Sequence, residues 1–117
     1  MKVNVYPIVY REHPKLGLEV LCYAAAKTLP TFSVDESVIV EETQKLCADV
    51  FGYDKGWYQV ERDKWYQRFH GEIDVVVRVI VPTNSKVRFE HNIMVFFSGA
   101  DLSALDETSK KYILGLD

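Results

Sequence analysis

The sequence predicts a single α+β domain over residues 1–117, with a curved antiparallel sheet of about four strands and two or three helices packed on one face. Three observations lead there. Residues 72–98 form two runs of alternating apolar and polar positions around a turn-rich segment. Residues 33–52 carry a helical period bounded by a capping sequence and a glycine. The chain is 48% hydrophobic and 26% charged over 117 residues, enough apolar material for one core without staples.

The stretch 72–98 reads as a β-hairpin. Ile73, Val75, Val77, Val79 and Val81 recur with period two, the spacing of one strand face. Val87, Phe89, His91, Ile93, Val95 and Phe97 share one face of the return strand. Pro82-Thr83-Asn84-Ser85-Lys86 has the residue types and length of a hairpin loop. Pairing Val81 with Val87 sets Val77 opposite His91 and Arg78 opposite Glu90. The charge pair would support this register by roughly 0.2–1 kcal/mol. The Val77 side is then the main core face.

The remaining elements follow in order. Val3 to Tyr10 reads as a strand, and Pro7 within it suggests an edge. Such an edge leaves a route to a homodimer through the N-terminal strand. Leu18, Leu21, Cys22, Ala25 and Leu29 keep helical spacing, and the Ala24-Ala25-Ala26 run favours a helix. The competing reading makes Leu16 to Tyr23 the second strand of an N-terminal hairpin. Ser33-Val34-Asp35-Glu36 fits a capping box, opening a helix that runs to Phe51 and closes at Gly52. A short strand at 57–61 and a second from Trp65, kinked at His70-Gly71, precede the hairpin. A helix from Asp63 to Phe69 is the alternative there. Ser103 or Asp106 caps a last helix that ends at Gly115, with Lys110 and Lys111 near its negative end.

Net charge is −3, with acids and bases interspersed. No basic stripe suggests nucleic-acid binding. No apolar run reaches membrane-spanning length and no signal peptide opens the chain, so a cytoplasmic protein with no membrane partner is expected. Cys22 and Cys47, both placed in predicted helices, read as small buried hydrophobes rather than a disulfide or a redox pair. Glycines are too scattered for a phosphate loop, and no nucleophile elbow occurs. No cofactor is expected. No pair of histidines has a local metal-ligand spacing, so no metal site is expected, and no catalytic residue is assigned.

Two candidate sites remain. Trp57, Tyr58, Arg62, Trp65, Tyr66 and Arg68 crowd one charged segment, and Trp, Tyr and Arg are the residues enriched in interface hot spots. On that basis the chain is expected to be a small acidic protein-binding domain of inhibitor, immunity, counter-defence or adaptor type. It would be without catalytic activity, with a protein as its partner. The alternative is a small-ligand-binding domain or small enzyme, with Tyr66, His70, Glu90 and His91 as polar groups of a pocket in the curved sheet. In element order alone, helices beside a long bent antiparallel sheet look like the cystatin-like and NTF2-like architectures.

Overall fold

Residues 2–13 form one unbroken strand, β1 (Lys2–His13), and the sheet is built around it. The computed structural model describes residues 1–115, and of Asp63 the backbone only. β1 is followed by β2 (Gly17–Tyr23), β3 (Phe32–Asp35), α1 (Ile39–Phe51), β4 (Glu61–Gln67), β5 (Ile73–Ile80), β6 (Met94–Ser98) and α2 (Glu107–Leu114). Among the described residues the sheet has six strands in the order β4-β5-β1-β2-β6, with β3 also on β1. It is larger than expected and mixed rather than antiparallel, because β1 and β5 run parallel with Val5 opposite Val75 and Val9 opposite Val79.

The N-terminal strand is therefore central. β5 pairs along one side of it. On the other side, β3 pairs with residues 2–5 and β2 with residues 10–13. Pro7 falls in the gap between those two antiparallel registers. A proline that looked like an edge marker thus sits mid-sheet, in the one stretch of β1 where that flank has no partner strand in register. With no free edge at β1, the expected homodimer through it loses its basis.

The hairpin expected over 72–98 does not form. β5 pairs with β1 and β4, and β6 pairs with β2. Val77 lies opposite Pro7 on one side and Arg62 on the other, not opposite His91. The reason is burial. A strand held between two neighbours and covered on both faces reads as a near-continuous apolar run, as Val75–Val79 does apart from Arg78. The connection that follows is irregular. Ser85 N donates to the Pro82 carbonyl at 3.0 Å, and a 3₁₀ turn spans Phe89–His91. Regular pairing resumes only at Met94. Arg78 pairs with Glu61 at 2.9 Å, its true cross-strand neighbour, rather than with Glu90.

The helix expected over 18–29 is also absent. Gly17, at φ 73°, turns the chain back, and Leu18–Tyr23 becomes the second strand of a hairpin with β1, the competing reading. Cys22 is thus on a strand. The alanine run forms a turn instead, closed by Tyr23 N donating to Thr28 O at 2.9 Å, with Lys27 at φ 54°. Glu61–Gln67 is a strand rather than the alternative helix.

Helix α1 forms as its periodicity demands, with one change at the start. Asp35 rather than Ser33 is the capping residue, accepting from Ser37 N at 3.0 Å ahead of a 3₁₀ turn at Glu36–Val38. Gly52 closes the helix in the left-handed region at φ 90°. α2 is capped by Asp106, which accepts from Ser109 N at 2.9 Å.

The two helices lie on opposite faces of the sheet, not on one. Ile39, Cys47, Val50 and Phe51 of α1 pack against Val3, Val5, Val9, Val75, Val77 and Val79. Tyr112 of α2, with Leu29 and Leu105, packs against Ile8, Val20, Cys22, Val76 and Phe97. Each fully buried aliphatic side chain contributes roughly 1.5–3 kcal/mol, so both layers are needed to offset chain entropy. Among the described residues no helix is long and apolar enough to cross a membrane.

Candidate functional site

A large cleft opens where β1 and β5 end, on the α2 side of the sheet. Alternation along β1 puts Tyr10 and Glu12 on this face, and Leu18 lies directly across from Glu12 on β2. Arg78 comes from β5. Gly99, Leu102 and Ser103 come from the 3₁₀ segment Gly99–Ala104, and Lys110, Ile113 and Leu114 from successive turns of α2. The cleft encloses about 720 Å³, within the range of small-molecule sites. It also lies beyond the carboxyl ends of the parallel pair β1–β5, where ligands characteristically bind in open sheets.

Its walls are apolar and its charges few. Tyr10, Leu18, Leu102, Ile113 and Leu114 supply the apolar surface. Lys110 is ion-paired with Glu107 at 2.9 Å, and Arg78 with Glu61 at 2.9 Å. Glu12 is the one acid in the lining.

Helix α2 is held against the sheet by a buried polar cluster. The Asp74 carboxylate is fully buried. It accepts from Tyr112 Oη at 2.5 Å, from Arg68 Nε at 2.5 Å and from Asn4 Nδ2 at 3.1 Å. Arg68 Nη2 also donates to Tyr6 Oη at 3.3 Å. Burial, then the bond to Asp74, pushes the Tyr112 phenol up to about 12. Burial and the Asp74 charge raise Tyr6 as well. Ser109 Oγ accepts from Leu29 N at 2.9 Å, a second tether of α2.

The residues singled out from sequence are dispersed. Tyr58 is buried against α1 through Phe51, with ring centroids 6.2 Å apart. Trp57 is exposed and stacks on Tyr53 at 5.4 Å. Arg62 donates to the Glu36 carbonyl at 3.1 Å and lies 5.8 Å over the Trp65 ring. Neighbouring positions on β4 face opposite sides, so Tyr66 turns away from Trp65 and stacks on Tyr112 at 4.7 Å. Arg68 is committed to Asp74. These six side chains do not make one surface.

Nor do the four pocket residues meet. His70 sits in a turn at φ 72°, its ring 4.8 Å from that of Phe69. Glu90 and His91 belong to the 3₁₀ turn before β6, where Glu90 lies 3.6 Å from Arg88. None of Tyr66, His70, Glu90 and His91 lines the large cleft. The residues that do line it come from five separate segments. In the sequence Lys110 read as a helix-end charge, and no local motif joins it to Glu12.

Among the described residues, no three Asp, Glu, His or Cys side chains converge to hold a metal ion. Glu41 and Glu42 of α1 are paired with Lys55 at 3.2 Å and Lys45 at 3.6 Å, on the helix across the sheet from the cleft.

No protein-family model matches the chain, and no curated protein matches it. Solved structures do. The C-terminal domain of mouse MUTYH, in complex with human PCNA, superposes with a TM-score of 0.73 at 8% identity, over 98% of this chain and 86% of that one. The NUDIX domain of Shewanella oneidensis NrtR, complexed with ADP ribose, gives 0.66 at 13% identity, over 97% and 84%. A Caenorhabditis elegans Ap4A hydrolase gives 0.57 at 16% identity, over 96% and 92%. The chain thus has a Nudix-like fold. This overturns the expectation of an inhibitor, immunity, counter-defence or adaptor domain without catalytic activity. Several of the superposed structures are named Nudix or Ap4A hydrolases and one is complexed with ADP ribose, which sits better with the alternative of a pocket for a small ligand than with that expectation.

Proposed function

We propose that this chain binds a small phosphorylated molecule, of the class of adenosine nucleotides joined through a phosphoanhydride, in the cleft between α2 and the ends of β1 and β5. The observation that carries the reading is the pairing, in one cleft of about 720 Å³, of an apolar wall with two cationic side chains, Lys110 and Arg78. Tyr10, Leu18 and Ile113 offer apolar surface for a purine ring, and the two cations lie in the same lining for the phosphates. The likeness in fold to a domain complexed with ADP ribose and to an Ap4A hydrolase supports the same ligand class.

The test is calorimetric titration with ADP-ribose and with Ap4A, using wild type beside Ser103→Trp. Ser103 lines the cleft and is exposed, so an indole there obstructs the site without entering the core. Saturable binding of either molecule by wild type, lost in a folded Ser103→Trp protein, is the expected result. No heat of binding at millimolar ligand, or equal binding by the variant, overturns the reading.

A further inference from the structure

Resting on that reading, we infer that the chain meets the negative charge of its ligand with Lys110 and Arg78 themselves and needs no divalent cation to do so. A phosphoanhydride brings at least two negative charges into the cleft. They are neutralised either by protein cations or by a metal such as Mg²⁺, which is held by carboxylates together with the phosphates. The donor set here does not fit a metal. Glu12 is the one acid among the cleft residues, and it shares the lining with two cations that repel a dication. The carboxylates of α1 belong to the helix that packs on the opposite face of the sheet. Among the described residues no acidic, histidine and cysteine side chains gather in threes anywhere.

The cations, by contrast, are placed for exchange. Lys110 is paired with Glu107, whose side chain is 92% exposed, and Arg78 with Glu61, 55% exposed. Pairs so open to solvent contribute little, so a phosphate can take over Lys110 at small cost. The chemistry assigned to the cleft is therefore that of an anion site made of ammonium and guanidinium groups, indifferent to magnesium and sensitive to salt.

The experiment is titration of ADP-ribose into the full chain, once in EDTA and once in millimolar magnesium, for wild type and Lys110→Gln. The expected result is a wild-type Kd equal within about twofold in the two buffers, weakened about tenfold or more by Lys110→Gln in both. Binding that appears only with magnesium, or a Lys110→Gln protein that binds like wild type, overturns the inference, while Ser103→Trp decides separately whether the cleft is the binding site. Absence of binding in both buffers overturns the proposed function itself, and the inference with it.

Discussion

The phenol of Tyr112 donates to the buried carboxylate of Asp74 at 2.5 Å, and this contact fixes α2 on the sheet. Asp74 sits on β5 and Tyr112 on the middle of α2, 38 residues apart in sequence. Lys110 and Ile113, two of the cleft residues, flank Tyr112 on the same helix. The placement of Lys110 and Ile113 is thus tied, through α2, to a polar bond buried under the same helix.

Tyr112→Phe removes that donor and leaves Arg68 and Asn4 to satisfy the carboxylate. The expected cost is about 1–3 kcal/mol, the range for an unmet buried hydrogen bond. Asp74→Ala should cost more, because it leaves both Tyr112 Oη and Asn4 Nδ2 without their acceptor, at about 1–3 kcal/mol for each buried donor. Urea unfolding of the three proteins checks both values. A Tyr112→Phe protein within about half a kcal/mol of wild type would show that the bond is not what holds α2.

Alkaline pH should weaken the fold through the same residue. The folded Tyr112 phenol titrates at about 12, above its ordinary value of 10.0, with burial the larger cause and Asp74 the next. The native state therefore keeps a proton that the unfolded chain releases. The stabilisation is fully present below pH 10 and is lost as pH rises through about 12. Cys22 and Cys47 act in the same sense from 9.0 to about 12, both because of burial. Stability measured across this window should decline, and Tyr112→Phe should flatten part of the decline. An unchanged pH slope in the variant would assign the effect elsewhere.

What the sequence showed of this architecture follows from which contacts are local. α1 was legible because its period, its cap region and Gly52 all lie within 20 residues. α2 was legible for the same reason, through Asp106 and Gly115. β5 was legible as a strand, but its partners were not. Its parallel neighbour β1 lies some 70 residues earlier, Asn4 against Asp74, and alternation within a strand says nothing about which strand lies beside it. The turn residues Pro82–Lys86 then pointed to the nearest apolar run, which is the wrong partner. The alanines at 24–26 favoured helix by propensity, yet Leu18, Val20 and Cys22 also alternate with Glu19, Leu21 and Tyr23, and sheet pairing won. The cleft could not be read at all, since Tyr10, Leu18, Arg78, Leu102 and Lys110 meet only after β1, β5 and α2 are in place.

That strand order can be tested with one cysteine. Cys22 on β2 lies directly opposite Val95 on β6. Opposed residues in an antiparallel pair have Cα atoms about 4.5 or 5.5 Å apart and side chains on the same face, which suits a disulfide. In a hairpin of residues 72–98, Val95 would instead lie opposite Ile73, and Cys22 would have no reason to be near. Oxidative refolding of Val95→Cys, followed by denaturation and thiol alkylation, separates the two. The variant has three cysteines, the native Cys22 and Cys47 plus the new one. With β6 beside β2, one thiol, that of Cys47, remains to be alkylated. Three alkylated thiols would place β6 elsewhere. Because Gly99, Leu102 and Ser103 follow β6 directly and line the cleft, that result would remove the cleft along with the strand order.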